Sequence, residues 1–259
     1  MNILIGNTGL VGSSLKEKIK FDYEFNSSNL EDIKKIPNTE DAILYLSCLP
    51  ATKWKVNQDI EGDFNNIGKI IRTISPLSYK TIILISTIDI YSNSDSLIDE
   101  SYTPVVEKLE YGTNRYLFEL LVKQTMKYDR LYIFRLPALF NKHIKKNILF
   151  DLIHNNNVDK IVSNSSYQWF NLDKLYETIM YIINRNITDA QVFNLFTPPI
   201  FTSDIINLFP DKIDKVDNKS KGANYHWLTK YFESGYVLDL TEEEILKDIK
   251  ELINEFSVK

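Results

Sequence analysis

Residues 1–12 of the chain read MNILIGNTGLVG. A short apolar run, Asn2–Ile5, leads into the pattern GxxGxxG, and a helix is predicted directly after it, from Leu10 to Lys20. Glycine allows a tight turn and lets a pyrophosphate approach the N–H groups of a helix N-terminus, where the helix dipole favours an anion. A plain strand-to-helix turn is the alternative, but three of the eight glycines stand here. The stretch therefore predicts a dinucleotide-binding turn made of Gly6, Asn7, Thr8, Gly9, Leu10, Val11 and Gly12.

Short apolar segments alternate with amphipathic helices as far as residue 140. Thr81–Ile85 (TIILI) is continuously apolar and β-branched, which is typical of a parallel strand covered on both faces. The other predicted strands are Tyr23–Phe25, Ala42–Leu46 and Leu131–Leu136. Helices are predicted from Thr113 and where Phe64, Ile67, Ile71 and Ile74 recur at helical spacing. This alternation predicts an α/β fold with a Rossmann-type, doubly wound parallel sheet.

The pattern changes after Pro137. Helices are predicted at Asn147–His154, Asp173–Ile183 and Thr241–Phe256, with Asp173 as an N-cap and short strands at Lys160–Val162 and Val192–Leu195. We expect residues 1–140 to form a dinucleotide-binding domain and residues 141–259 a smaller substrate-binding lobe, partly interleaved with the sheet.

Charge and composition exclude several classes of protein. Thirty Lys and Arg against 35 Asp and Glu give a net charge of −5, which argues against a nucleic-acid partner. No run of about 18 apolar residues is present, so we expect neither a transmembrane helix nor a membrane partner. One cysteine, Cys48, excludes an intramolecular disulfide and fits a reducing compartment, and three dispersed histidines do not suggest a metal site. We expect a cytoplasmic protein that binds no metal.

A second group of polar residues follows TIILI. Thr87 lies after the predicted strand, at the edge where open α/β sheets bind ligands. Tyr111 and Arg115 are four residues apart and share a face of the predicted helix, where the cation would lower the pKa of the phenol. A tyrosine that moves a proton and a hydroxyl that holds a substrate oxygen suit hydride transfer to or from a carbonyl. A Tyr–Arg pair alone is usually a packing pair, and its combination with the glycine pattern indicates a site.

Four stretches in this order, GNTGLVG, STIDIYS, YGTNRYLFE and FRLPALF, resemble the extended short-chain dehydrogenase/reductase family of nucleotide-sugar epimerases, dehydratases and reductases. Thr87 lies four residues before Tyr91, and Tyr111 matches the family's catalytic tyrosine. Glu119 matches the glutamate that follows it, and Arg135 opens the last stretch. The resemblance covers about residues 1–200. It implies a Rossmann fold, bound NAD or NADP, a nucleotide-sugar substrate, a homodimer, and catalytic roles for Thr87, Tyr111 and Arg115.

Two of the departures from the family pattern bear on the chemistry. Arg115 stands where the family has a lysine, and it keeps the charge, but it cannot deprotonate and its planar fork differs from an ammonium. Thr87-Ile88-Asp89 lacks the acid that the family's dehydratases carry in the middle position, which disfavours a 4,6-dehydratase. The resemblance implies that Arg115 holds the cofactor ribose and tunes Tyr111, and that Asp89 contacts the substrate.

The end of the second strand bears on the choice of cofactor. NAD favours an acid there for the ribose diol, whereas NADP favours basic or hydroxyl groups for its phosphate. Asn26 and Ser27 are neither acid nor base and suit a diol or a phosphate, so the choice stays open. By the resemblance, Ser47 and Cys48 face the nicotinamide ribose, and we interpret Cys48 as a packing residue rather than a nucleophile.

A basic turn, residues 142–147 (KHIKKN), precedes the helix ILFDLI. Lys145 and Lys146 at a helix start suit a diphosphate. Asn147 resembles the asparagine that binds the substrate diphosphate in the sugar-nucleotide enzymes. A solvated lysine turn is the alternative interpretation.

The sequence therefore predicts an NAD(P)-dependent oxidoreductase or epimerase that acts on a nucleotide-activated sugar, in surface-polysaccharide synthesis. Two alternatives stay open. The first is a dinucleotide-binding regulatory module without chemistry, which Arg115 motivates. The second is a reductase of a small ketone, which predicts an apolar pocket without the basic turn.

Overall fold

The computed structural model describes residues 1–91, 98–106, 108–185, 187 and 191–257. The chain divides into two compact units. The first comprises Met1–Asp95, Tyr102–Arg135 and Ile179–Phe193, and the second Ser96–Ser101, Leu136–Thr178 and Asn194–Lys259. The units are therefore interleaved along the chain, and the functional boundary expected at residue 140 stays a prediction.

Strands and helices alternate through most of the first half of the chain. The strands are β1 (Asn2–Ile5), β2 (Tyr23–Phe25), β3 (Ile43–Leu46), β4 (Ser78–Thr87), β5 (Lys127–Leu136), β6 (Ala138–Phe140), β7 (Ser166–Asn171), β8 (Val192–Asn194) and β9 (Pro199–Phe201). The helices are α1 (Leu10–Lys18), α2 (Lys53–Gln58), α3 (Ile60–Ile74), α4 (Tyr111–Thr125), α5 (Ile148–His154), α6 (Leu175–Asn184), α7 (Thr202–Ile206) and α8 (Glu242–Ser257).

A six-stranded sheet in the order β2-β1-β3-β4-β5-β8 forms the main layer. Strand β1 pairs in parallel with β2 and β3, and β3 pairs in parallel with β4. The strand centres are buried because helices cover the sheet, which explains the continuously apolar strand sequences. The predicted Rossmann-type α/β fold is confirmed.

Helix α3 presents a buried face that includes Ile67, Ile71 and Ile74, as its spacing predicted. Phe64, however, is exposed to 39%, so its predicted place on that face is wrong. Asp63 is buried in its stead, at 8% exposure, four residues before Ile67. An acidic side chain therefore occupies the first buried turn of an otherwise apolar face.

The second unit contains a three-stranded sheet, β6-β7-β9, which the sequence did not predict. Strand β7 pairs in parallel with β6 and antiparallel with β9. The Gln168 amide of β7 is fully buried, donates to the carbonyls of Thr197 and Trp227, and accepts from the Trp227 N–H. This side chain joins three separate segments because a buried amide must satisfy both its donors and its acceptor.

Of three local predictions after Pro137, two are wrong and one is confirmed. Lys160–Val162 is not a strand, because a 3₁₀ turn spans Val158–Lys160 and Val162 forms only an isolated bridge to Asp217. Asp173 is not the N-cap, because the Asn171 side chain accepts from the Asp173 N–H at the start of a 3₁₀ turn. Val192–Asn194 is a strand as predicted, and it joins the main sheet as β8.

A buried carboxylate ties three parts of the second unit together. Glu100 Oε1 accepts from the Asn194 N–H at 2.8 Å and the Thr229 hydroxyl at 2.7 Å, and Oε2 accepts from the Lys230 N–H at 3.0 Å. Burial raises the pKa of Glu100, and these hydrogen bonds act against that shift. Within the described part of the chain, no helix is both long and apolar enough to cross a membrane.

We expect Glu100→Gln to lower the free energy of unfolding by about 1–3 kcal/mol. The new amide group replaces one acceptor oxygen, so one of the three donors loses its partner inside the fold. Urea denaturation measures the change, and Glu243→Gln, at an exposed position of α8, is the matched control. Equal stability of the two variants would show that the Glu100 junction contributes little.

Candidate functional site

Gly6 and Gly9 of the first motif lie between β1 and α1, and Gly12 lies in the first turn of α1. Gly6 has φ +102°, and any Cβ there would collide with the Ser47 carbonyl oxygen. A Cβ on Gly12 would collide with the Gly6 carbonyl. Gly9 differs, because its φ of −77° suits any residue and a Cβ would lie 3.5 Å from the Gly6 oxygen, an ordinary contact.

The absence of a side chain at Gly9 leaves space in front of α1. The N–H groups of Leu10, Val11 and Gly12 open that helix and have no carbonyl one turn earlier to accept them. Thr8 and Gly9 are exposed at the tip of the loop. Open space before unsatisfied N–H groups and a helix dipole is what a diphosphate needs, so the loop fits a dinucleotide.

The end of β2 contacts the glycine loop. The Asn7 amide donates to Glu24 Oε2 at 3.1 Å, and the Asn26 amide donates to Asn7 Oδ1 at 3.3 Å. Lys16 of α1 forms an ion pair with Glu24 at 2.5 Å and lowers the pKa of that carboxyl. Asn26 therefore lies beside the glycine loop, and Ser27 is exposed next to it. Glu24, an acid that the sequence reasoning missed, also contacts the loop.

Ser47 and Cys48 follow β3. The Ser47 N–H donates to the Ile5 carbonyl at 2.9 Å, and the Ser47 carbonyl lies against Gly6, so this segment touches the glycine loop. Cys48 packs against the core of the first unit, and burial raises the pKa of its thiol to about 12. The thiol is therefore neutral, which fits the interpretation of Cys48 as a packing residue.

Thr87 ends β4 and begins a short turn. Its hydroxyl accepts from the Asp89 N–H at 3.2 Å and lies 3.3 Å from Asp89 Oδ2. The other carboxylate oxygen, Asp89 Oδ1, pairs with Lys53 Nζ at 2.7 Å. A Cβ on Gly112 would collide with the Asp89 carbonyl, so the first turn of α4 packs directly on this turn.

Tyr111 and Arg115 lie together at the start of α4. The guanidinium carbon of Arg115 is 4.4 Å from the centre of the Tyr111 ring, and both side chains are buried. Burial raises the pKa of Tyr111, and the Arg115 and Lys53 charges oppose that shift while Asp89 adds to it. The structure thus brings together the three predicted catalytic residues, Thr87, Tyr111 and Arg115, with Asp89 among them.

Arg115 is held by acceptors away from the tyrosine. Nη1 and Nη2 bond the two carboxylate oxygens of Asp63 at 2.7 and 3.2 Å, and Nη2 also donates to the Pro50 carbonyl at 2.6 Å. The Asn114 amide donates to Asp63 as well, at 2.9 Å. A bidentate pair of this kind uses the planar fork that a lysine lacks.

A second buried ion pair lies one turn along α4. Glu119 accepts from Arg135 Nε at 3.1 Å and Nη2 at 2.6 Å, and from the Ser86 hydroxyl at 2.5 Å. Arg135 Nη1 donates to the Tyr91 hydroxyl at 2.6 Å. These contacts join β4, β5 and α4 and thereby set the position of Thr87 relative to the start of α4.

In the second unit, Asn147 caps α5 rather than beginning it. Its Oδ1 accepts from the Phe150 N–H at 3.0 Å, its amide donates to the Leu139 carbonyl at 2.9 Å, and its φ is +106°. Lys145 and Lys146 are exposed in the turn before it. Asn147 is therefore largely occupied by the fold, and its role toward a substrate stays a prediction.

Three residues of the first unit's site were missed by sequence reasoning: Asp63, Lys53 and Glu24. Asp63 carried a readable signal, because it shares the apolar face of α3 with Ile67 and Ile71, where an acid needs a buried partner. Lys53 and Glu24 carried none, because each side chain meets its partners only through tertiary contacts.

The strand order defines a Rossmann-type α/β fold, and the glycine loop has the open space that a dinucleotide needs. No family model matches the chain, and no curated protein matches it in sequence. Solved structures match it over nearly the whole length. MoeE5 in complex with UDP-glucose and NAD has a TM-score of 0.71 and 13% identity, and the match covers 100% of this chain and 99% of that one.

Two further structures are similar. UDP-N-acetylglucosamine 4-epimerase from Methanobrevibacter ruminantium M1 has a TM-score of 0.72 and 12% identity, with 99% of this chain and 98% of that chain covered. TunA, an NAD-dependent NDP-hexosamine 5,6-dehydratase of tunicamycin biosynthesis, has a TM-score of 0.75 and 11% identity, with 100% and 98% covered. At these identities the likeness shows the fold.

We expect Asp63→Asn to lower the free energy of unfolding by about 3–5 kcal/mol, because it leaves the Arg115 cation buried without a counter-charge. Urea denaturation measures the loss, and Glu61→Gln, at an exposed position of α3, is the control. The double variant Asp63→Leu/Arg115→Met should recover much of the stability, since it removes both charges. A double variant that loses as much stability as Asp63→Asn, or more, would contradict the pairing.

Proposed function

We propose that the chain is an NAD(P)-dependent oxidoreductase or epimerase that acts on a nucleotide-activated sugar. The observation that carries the proposal is one arrangement within the first unit. It combines a glycine loop with open space at Gly9 and a Tyr111–Arg115 stack packed on the Thr87–Asp89 turn. The three similar structures support it, because one is an NAD complex, another is an NAD-dependent enzyme, and all three bind or act on a sugar nucleotide.

The glycine loop would hold the dinucleotide, which supplies a hydride donor or acceptor when bound. Leu10, Val11 and Gly12 would donate backbone N–H groups to its diphosphate, and Ser47 and Cys48 would line its nicotinamide ribose. Asn26 and Ser27 would contact the adenosine ribose. Glu24 beside Asn7 favours a ribose diol over a phosphate, and therefore NAD over NADP.

Tyr111 would move the proton of the reacting sugar hydroxyl, and Thr87 would hold that oxygen. Arg115, which stacks on the Tyr111 ring, would lower the pKa of the phenol. Its two terminal nitrogens already donate to Asp63 and Pro50, so tuning the phenol is better supported than binding the ribose. Asp89 would contact the substrate from the same turn as Thr87.

Lys145, Lys146 and Asn147 of the second unit would bind the diphosphate of the sugar nucleotide. Both lysines are exposed, and charge-assisted hydrogen bonds to phosphate are among the stronger ones. A role in surface-polysaccharide synthesis, a homodimer and a cytoplasmic location are parts of the proposal that rest on the sequence.

One observation favours a second candidate, a dinucleotide-binding module without chemistry. Arg115 is neutralised by Asp63, and burial raises the pKa of Tyr111, so the phenol gives up its proton less readily than an ordinary tyrosine. In that case the glycine loop would bind the dinucleotide, and Tyr111 would only pack.

We expect Tyr111→Phe to lower the turnover of nucleotide-sugar substrates by about 10²-fold or more, because the variant lacks the hydroxyl that would act as general acid or base. Dinucleotide affinity, measured by calorimetry, should stay nearly unchanged. Tyr116→Phe removes a hydroxyl five residues further along the same helix and is the matched control. Full turnover of the Tyr111 variant would exclude the assigned role, and dinucleotide binding by a wild-type chain that turns over no sugar nucleotide would favour the second candidate.

We expect Lys145→Ala/Lys146→Ala to weaken nucleotide-sugar binding about tenfold or more and to leave dinucleotide binding unchanged, since each charge-assisted bond contributes about 1.5–3 kcal/mol. Calorimetry with both ligands measures this difference. Lys212→Ala/Lys215→Ala removes two other lysines of the second unit and is the control. An equal loss of affinity for both ligands would indicate general destabilisation. Unchanged affinity for both would show that the basic turn is a solvated lysine turn without a binding role.

A further inference from the structure

Helix α2 meets the start of α4 at one corner of the first unit. The Asn57 side chain of α2 accepts from the Tyr111 N–H at 2.9 Å. Lys53 lies four residues earlier on the same helix and therefore on the same face. Gly112, next to Tyr111, packs against the Asp89 carbonyl. The Asn57 hydrogen bond and the Gly112 packing contact thus bring Lys53, Asp89 and Tyr111 to a single corner of the first unit.

A chain of polar contacts crosses this corner. Lys53 Nζ pairs with Asp89 Oδ1 at 2.7 Å, and Asp89 Oδ2 lies 3.3 Å from the Thr87 hydroxyl. The side chain of Lys53 is 56% exposed and that of Asp89 is 29% exposed. This pair is accessible to solvent, unlike the Arg115–Asp63 pair, whose side chains are 5% and 4% exposed.

The charges that act on the Tyr111 phenol come from three elements. Arg115 lies on its own helix and is paired with Asp63 of α3, Asp89 follows β4, and Lys53 lies on α2. Burial raises the pKa of the phenol most, Arg115 and Lys53 lower it, and Asp89 raises it. An unpaired Asp89 carboxylate would therefore hold the proton on Tyr111.

We propose that Lys53 is a positioning residue for proton transfer at Tyr111, because its ammonium binds the Asp89 carboxylate and cancels the negative charge that would otherwise face the phenol. Lys53 also holds Asp89 in the turn that presents the Thr87 hydroxyl. The catalytic part of this inference rests on the proposed function, whereas its electrostatic part concerns only the chain itself.

The ionisation of Tyr111 tests the inference without substrate. Labelling tyrosine with ¹³C at Cζ gives one resonance for each of the 15 tyrosines. The resonance that disappears in Tyr111→Phe is that of Tyr111. We expect Lys53→Met to raise the pKa of Tyr111 by about half a unit to one unit at low salt. The difference from wild type should shrink in about 1 M salt, because the pair is exposed to ions.

Two further variants separate charge from structure. Lys53→Arg should keep the wild-type titration, because the cation is retained, and Lys53→Met/Asp89→Asn should return the pKa of Tyr111 toward that of wild type. With active protein, Lys53→Met should move the alkaline limb of the pH–rate profile in the same direction and lower kcat more than it raises KM. If the pKa of Tyr111 is unchanged in Lys53→Met, the inference is wrong, regardless of whether the protein is active. If the pKa rises as expected but the wild-type protein turns over no sugar nucleotide, only the proposed reaction is wrong.

Discussion

The first unit depends on the neutralisation of two buried charges on α4. Arg115 and Glu119 are four residues apart, of opposite sign, and almost fully buried. Asp63 of α3 takes the first charge and Arg135 of β5 the second. A buried charge without its partner costs several kcal/mol, so each pair fixes where its partner element must lie against α4. The strand end that carries Thr87 is held by the second pair, because Ser86 donates to Glu119.

The glycine loop illustrates how three identical residues serve three purposes. Gly6 is required by its positive φ, and Gly12 by close packing against the Gly6 carbonyl. Gly9 is required by neither, and the structure offers no internal reason for a missing side chain there. Its missing side chain leaves the space in front of α1 that the proposed dinucleotide needs. The distinction matters because two of these glycines would be needed in any tight strand-to-helix turn, whereas the third points to binding.

The region around Tyr111 combines four charges that form two ion pairs. Arg115 is matched by Asp63 in the interior, and Lys53 by Asp89 at the surface. The interior pair is almost fully buried, and its Arg115 stacks on the tyrosine ring, while the surface pair is screened by salt and lies beside the Thr87 hydroxyl. Burial raises the pKa of the phenol, so Tyr111 is protonated in these surroundings. This state is compatible with proton transfer to a bound substrate, and it is also compatible with a tyrosine that only packs.

The sequence by itself determined the architecture of the first unit, because strand and helix periods, the spacing of the glycines and the run TIILI are local properties of the chain. It also placed Thr87, Tyr111 and Arg115 in one region, since strand ends and helix starts of a parallel sheet meet at one edge. It could not show that Asp63 holds Arg115, that Lys53 holds Asp89, or that Glu24 reaches the glycine loop. Those pairs join residues 52, 36 and 17 positions apart, and only the folded chain brings their charges within reach of one another. The short strands of the second unit were missed for the same reason, because segments of three to six residues become strands only when a neighbouring backbone supplies their hydrogen bonds.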